Sequence, residues 1–262
     1  MTAMGRFVFT ALLLFLPAPI LVVVGASFTN TGYIRFPPEG FSLRWYRAIL
    51  EEPQWLTALA VSLGLAVAAA ILSTTIAFCA ALIVTRRKGK MVSAFETAVL
   101  APLLFPHAAL GIAMLALVST FSVYGTFAGL LLVHCIITLP FAYRPISVSI
   151  RSMDPAMEEA AMSLGARPAT IFFRVALPLA RPGIVTALLF TFILSFDEVT
   201  VTMFLVGPLI STMPVEIYTF IQESGKPTVA AISTGLIAFT LLAVLLLERL
   251  VGLQLFVERE AR

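Results

Sequence analysis

Asp197 and Glu198 stand side by side in a stretch that is otherwise free of charge from residue 182 to residue 215. Ionised carboxylates in apolar surroundings of membrane type cost roughly 2.5–3.5 kcal/mol on insertion scales. A retained acid there faces a cavity or a partner. Adjacent helical residues point about 100° apart, so at most one of the two looks straight into a central path. Three roles remain open. One carboxylate, with Phe196 beside it, lines a path and attracts a cationic or amine-bearing solute; or it locks to a partner subunit; or it reaches headgroup level. His107 and His134 lie in apolar runs with no third ligand to join them. Each reads as a lone buried neutral histidine with one satisfied nitrogen. No Cys/His set has ligand spacing, and the phosphate-binding Gly-x-x-x-x-Gly-Lys-Ser/Thr loop and the Gly-x-Ser-x-Gly and His-Glu-x-x-His motifs are missing. The residues therefore predict no catalytic centre, no metal and no cofactor. Cys79 and Cys135, inside apolar runs, read as small buried hydrophobes.

A second constellation lies in residues 148–182, where charges return. Asp154-Pro155 has the signature of a helix start, with an acceptor at the cap and proline at the first helical position. Glu158 and Glu159 follow near the positive end of the helix dipole. Gly165 can take the left-handed conformation that stops a helix. Arg167-Pro168 begins a second short helix with an apolar stripe of Ile171, Phe172 and Val175, and Leu177-Pro178 is expected to end it. Glu159, Ala160, Ala161, Gly165, Val175, Leu177 and Pro178 thus fall on a helix, Gly turn, helix, which on the residues alone also reads as an ordinary amphipathic surface segment between two spans. Small alanines let a helix enter a groove closely, and Glu159 can cap its own helix or meet a basic group.

The elements that must position these residues cross a membrane. Hydrophobic types are 60% of 262 residues and charged types only 12%, about half the usual share, which excludes disordered chains and most soluble enzymes. A bilayer core needs about 20 apolar residues in a helix. The charge-free runs 7–28, 53–85, 97–143 and 227–247, with the interrupted run 182–215, predict six spans near 7–28, 57–85, 95–119, 124–147, 183–206 and 229–250. The first could imitate a cleaved signal; its length favours a retained span. With the N-terminus inside, thirteen of the seventeen basic residues fall on the cytoplasmic side and Arg35, Arg44, Arg47 and Lys226 fall outside. That is a positive-inside bias. Both termini are then cytoplasmic, with a charged tail over residues 258–262, and Glu96 is expected near the basic 86–90 loop. The outer segment after the first span carries Trp45, Tyr46 and Trp55, with a short surface helix near residues 43–50. The net charge of +3, without an aromatic-basic stripe, argues against nucleic acid.

The pattern Glu159-Ala160-Ala161, three residues, Gly165, nine residues, Val175, one residue, Leu177-Pro178 resembles the EAA loop of binding-protein-dependent ABC transporter permeases. Every position matches, with valine where isoleucine is usual. Ser195-Phe196-Asp197-Glu198-Val199, Val206-Gly207-Pro208 and the external Phe41-Ser42-Leu43-Arg44-Trp45-Tyr46 segment are similar to the spermidine/putrescine branch. The resemblance implies an all-α polytopic bundle of six transmembrane helices, a single transmembrane domain over 1–262, with a cytoplasmic coupling helix in the bacterial inner membrane. It also implies an ATPase dimer on the coupling loop, a second permease chain, an external substrate-binding protein, and no enzymatic activity of the chain's own. The transported solute would be a polyamine or another amine-bearing compound. On the residues alone, half of an ion-coupled secondary transporter, or a membrane sensor or assembly protein, stays open.

Overall fold

The structure, a computed structural model, describes residues 3–87 and 89–251, with side chains over 4–87 and 89–242. Lys88 and the charged tail expected over 258–262 lie outside the described residues. Twelve α-helices follow one another, and no strand of a sheet occurs among the described residues. They are α1 (Ala3–Phe15), α2 (Ala18–Ser27), α3 (Arg44–Glu51), α4 (Pro53–Arg86), α5 (Lys90–Leu100), α6 (His107–Thr120), α7 (Phe127–Arg151), α8 (Pro155–Ser163), α9 (Pro168–Ile171), α10 (Leu177–Phe196), α11 (Met213–Glu223) and α12 (Thr228–Val251). Two compact units form, Ala58–Val215 and the pair Met1–Thr57 with Glu216–Arg262.

Four helical stretches are long and apolar enough to cross a bilayer: Met4–Ser27, Pro53–Arg86, Phe127–Arg151 and Pro168–Phe196. The third expected span is a bent pair, Lys90–Leu104 and His107–Thr120, turned by 114°. Pro102 and Pro106 explain the bend. Each lacks the N–H that would continue the ladder. Ala101–Leu104 tightens into a 3-10 turn and Pro106 caps α6. α12 occupies the sixth position.

Two expectations about the fifth span are corrected. The helix does not stop at Leu177-Pro178, and it does not run through Asp197 and Glu198 to residue 206. It is continuous from Pro168 to Phe196. Pro178 offers no N–H to the Arg174 carbonyl, and the chain widens there into a π-turn, Phe172–Ala176, in which the Leu177 N–H bonds the Phe172 carbonyl. At the other end Asp197 is the C-cap, its N–H still bonded to the Ile193 carbonyl at 3.0 Å. The chain then turns and forms a 3-10 segment, Thr202–Phe204.

In the unit Ala58–Val215, α7 and α10 form the most extensive helix pair. One apolar cluster joins Ala77, Ala81 and Val84 of α4 to Tyr143, Ile146 and Ile150 of α7 and Ala180 and Ala187 of α10. A second gathers Leu65, Leu110, Leu130, Val133, Val201 and Leu205 around the other half of α7. Alanines at the contacts let backbones approach closely, as membrane interfaces require. Gly183 is the limiting case: a Cβ there would sit 2.6 Å from Ser149 Cβ and 2.7 Å from the Pro145 carbonyl oxygen. In the other unit, α2 and α3 pack on α12. The short helix expected near residues 43–50 is the observed α3. Trp45 Nε1 donates to the Thr29 carbonyl at 2.9 Å, Tyr46 Oη meets Ser27 Oγ at 2.7 Å, and buried Trp55 stands edge-on to Phe220. These rings are tied into the fold as well as being suited to the interface.

The partners observed for Glu96 are on α7, and Lys88 of the 86–90 loop lies outside the described residues. Glu96 lies within α5 and accepts hydrogen bonds from Arg151 at 2.7 Å and Tyr143 Oη at 3.0 Å. A helix starting at Lys90 puts residue 96 nearly two turns along, level with the last turns of α7.

Gly183→Ala would gain about 0.5–1 kcal/mol in helix propensity but overpack a backbone contact at about 1–3 kcal/mol. The second effect wins because the Pro145 carbonyl cannot rotate aside. The expected result is a lower unfolding temperature in detergent, read by a thermal melt of the purified variant.

Candidate functional site

Residues 154–178 build the first part of the site from local rules. Asp154 Oδ1 accepts the Ala156 N–H at 2.9 Å and Pro155 opens α8. Gly165, at φ +80°, ends it. Its N–H bonds the Met162 carbonyl at 2.9 Å and the Ala166 N–H bonds the Ala161 carbonyl at 3.0 Å, the paired bonds of a Schellman stop. Arg167 then caps α9 with Pro168 at its first position.

The fold brings Ala160, Val175 and Pro178 together on an open groove of about 530 Å³, with Ala156, Met157 and Arg174. Glu159 and Ala160 are exposed and Ala161 is half-buried. Leu177 turns instead into the α4–α7–α10 cluster. Met157, Met162, Leu164 and Phe173 of the same segment are exposed, so this end presents an apolar, close-approach surface. Glu158, which the motif does not include, pairs with Arg86 at 2.5 Å. Both are solvated, so the pair contributes on the order of 1 kcal/mol or less. Its effect is to tie α8 to the end of α4.

The second part lies at the far end of α10. From Arg181 to Asp197 the rise is roughly 24 Å, most of an apolar core. Phe196 is buried and stacks on Phe192 at 5.9 Å. Asp197 is exposed at the helix end. Glu198 keeps only 10% of its side-chain surface; its Oε1 accepts the Val201 N–H at 2.8 Å and its Oε2 lies 3.5 Å from His107 Nδ1. The two acids therefore divide into one held inward and one presented.

One histidine departs from the expectation of burial and the other bears it out. His107 is 60% exposed and is not alone, because the Pro106 bend starts α6 beside Glu198. His134 is fully buried, but both its nitrogens are satisfied, Nδ1 by Ser195 Oγ at 2.8 Å and Nε2 by Thr202 Oγ1 at 3.0 Å. In sequence these partners are 61 and 68 residues away. The only signal was three polar types in apolar runs. No group of His, Cys, Asp and Glu suited to a metal occurs among the described residues.

Residues 73–254 match the family described as the binding-protein-dependent transport system inner membrane component. The chain belongs to this family. It is a multi-pass inner-membrane permease component of an ABC transport system, which sets aside the ion-coupled carrier and the sensor. The permease is similar to the spermidine/putrescine transport system permease protein PotC of Escherichia coli (strain K12), 29% identical over 236 residues, covering 90% of this chain and 89% of that one. The putrescine transport system permease protein PotI of the same organism is 31% identical over 227 residues, covering 84% and 80%. The molybdenum transport system permease protein ModB of Mycobacterium bovis is 29% identical, covering 81% and 88%. A crystal structure of an amino acid ABC transporter with histidines superposes with a TM-score of 0.58 at 17% identity, over 81% of this permease and 98% of that chain, and shares its fold.

Asp154→Ala removes the α8 cap, at a cost of about 1 kcal/mol. Hydrogen exchange of the α8 amides in the reconstituted protein should quicken several-fold, while those of α7 and α10 stay unchanged.

Proposed function

We propose that this permease forms half of the path by which an ATP-driven importer carries a polyamine into the cell. The observation that carries the solute class is the acidic turn. A largely covered, backbone-bonded Glu198 beside an exposed Asp197 gives a cation a favourable field in a medium where charges are poorly screened. Overall identity does not choose the solute, because a relative named for molybdenum matches about as well as those named for polyamines. Carboxylates in the path favour the amine.

The surface around Ala160 suits the ATPase, which sits in a separate subunit. Glu159, Ala160, Ala161, Gly165, Val175, Leu177 and Pro178 form the coupling element, with only the small residues and the groove meeting the ATPase directly. A second permease, itself or a homologous chain, encloses the other half of the path, and an external binding protein delivers solute to the outer side. The distribution of arginine and lysine supports a cytoplasmic coupling loop and cytoplasmic termini. ATPase closure draws two coupling helices together, the spans rock outward-open, and hydrolysis lets them relax.

A pull-down of the chain from its own membranes, followed by mass spectrometry, is expected to recover an ATPase, a second permease and a binding protein. Copies of this chain alone would overturn the reading. In the reconstituted complex, Glu198→Gln keeps an acceptor for the Val201 N–H and removes only charge. Spermidine uptake should fall about tenfold or more in this variant or in Asp197→Asn, with ATPase activity retained. Unchanged uptake in both would remove the cation from the proposal.

A further inference from the structure

The acidic turn is closed at both ends by one side chain. Ser195 is the penultimate residue of α10 and Thr202 opens the following 3-10 segment. Between them run Phe196, Asp197, Glu198, Val199, Thr200 and Val201. The His134 imidazole holds Ser195 Oγ at 2.8 Å with one nitrogen and Thr202 Oγ1 at 3.0 Å with the other. All three side chains are buried, and His134 and Thr202 have no exposed surface. A neutral imidazole carries one N–H and one bare nitrogen, so one hydroxyl accepts from the ring and the other donates to it. No water is at hand in a bilayer interior to replace either bond.

The base of the imidazole is itself fixed. Thr138 Oγ1 donates to the His134 carbonyl at 2.6 Å and lies 3.0 Å from Ser73 Oγ on α4. Val133 of α7 and Val201 of the turn share one apolar cluster. Within the closed turn, Glu198 takes the Val201 N–H. The direction of both carboxylates thus follows from where residues 195 and 202 are pinned. His134 touches neither acid.

We infer that His134 is a positioning residue for solute passage: it sets the geometry of Asp197 and Glu198 by bracing Ser195 and Thr202. This inference rests on the proposed role of the two acids. It adds a residue on a different helix, 63 positions from Asp197 in the chain, to the machinery that handles the solute.

The test uses the whole transporter with its partners in proteoliposomes and spermidine as probe. Uptake per transporter and binding-protein-stimulated ATP hydrolysis are measured together. Thr202→Val and Ser195→Ala each remove one arm of the brace, and His134→Leu removes both. The glutamine amide reaches roughly where Nε2 stands, so His134→Gln keeps the Thr202 arm. Spermidine uptake is expected to fall about fivefold to tenfold per lost arm while stimulated ATP hydrolysis stays within about twofold. His134→Gln should lose less than His134→Leu, and Thr202→Val should add nothing once His134 is leucine. A merely structural histidine would lower uptake and hydrolysis in parallel, and that result overturns the inference. Should His134→Leu fail to fold, the two hydroxyl variants carry the test. If Asp197→Asn or Glu198→Gln depresses uptake and the brace variants do not, the inference falls and the reading of the acids stands. If the acid variants leave uptake unchanged, both fall.

Discussion

A polar group inside a bilayer has no water to turn to, and here the groups that most need a partner gather where α10 stops. A helix that ends within an apolar slab frees carbonyls and N–H groups, and the residues after it carry two acids. The surrounding arrangement follows from meeting those demands. Val201 gives its N–H to Glu198, Ile193 takes the Asp197 N–H, and His134 holds a hydroxyl on each side of the break. α7 must stand at one depth relative to α10 for the imidazole to reach both. That fixes the register of the most extensive helix pair in the fold, and the alanine and glycine contacts along the pair permit the closeness the brace needs.

The two ends of α10 solve opposite problems. At the Pro168 end, solvent is available and local sequence rules suffice: a carboxylate cap, a proline at the first position, a left-handed glycine. These bonds are each worth about 1 kcal/mol, and the element they build is short and lightly held. At the Phe196 end, local rules give out and long-range side-chain bonds take over. The proposed docking surface is therefore built from nearest neighbours, and the candidate solute site from residues far apart in the chain.

This division decides how much could be read from the sequence. The EAA-type loop was legible residue by residue, because capping and stop signals act over three or four positions; Asp154, Pro155, Gly165 and Pro168 all do what their types suggest. Spans were legible as apolar runs, since length and hydropathy are summed properties. The interruptions were not. Pro178 looked like a stop because its missing N–H breaks an ordinary ladder, yet a π-turn absorbs it. The charge-free stretch after Val199 looked like more helix, because hydropathy does not distinguish a span from a buried turn. The bend at residues 101–106 was hidden the same way, although its prolines were visible. The partners of Glu96, His107 and His134 went unread for one shared reason: they lie on other elements, and a single sequence carries no record of pairing.

Gly183 lies fifteen residues from Pro168 and thirteen from Phe196, close to the midpoint of an uninterrupted helical rod. There it meets the Pro145 carbonyl and Ser149 with no side chain between. The arms on either side are about 22 Å and 20 Å long. A stiff rod held at its centre would tilt like a balance beam, so that a swing of the end beside the groove would carry the end with the acids the opposite way.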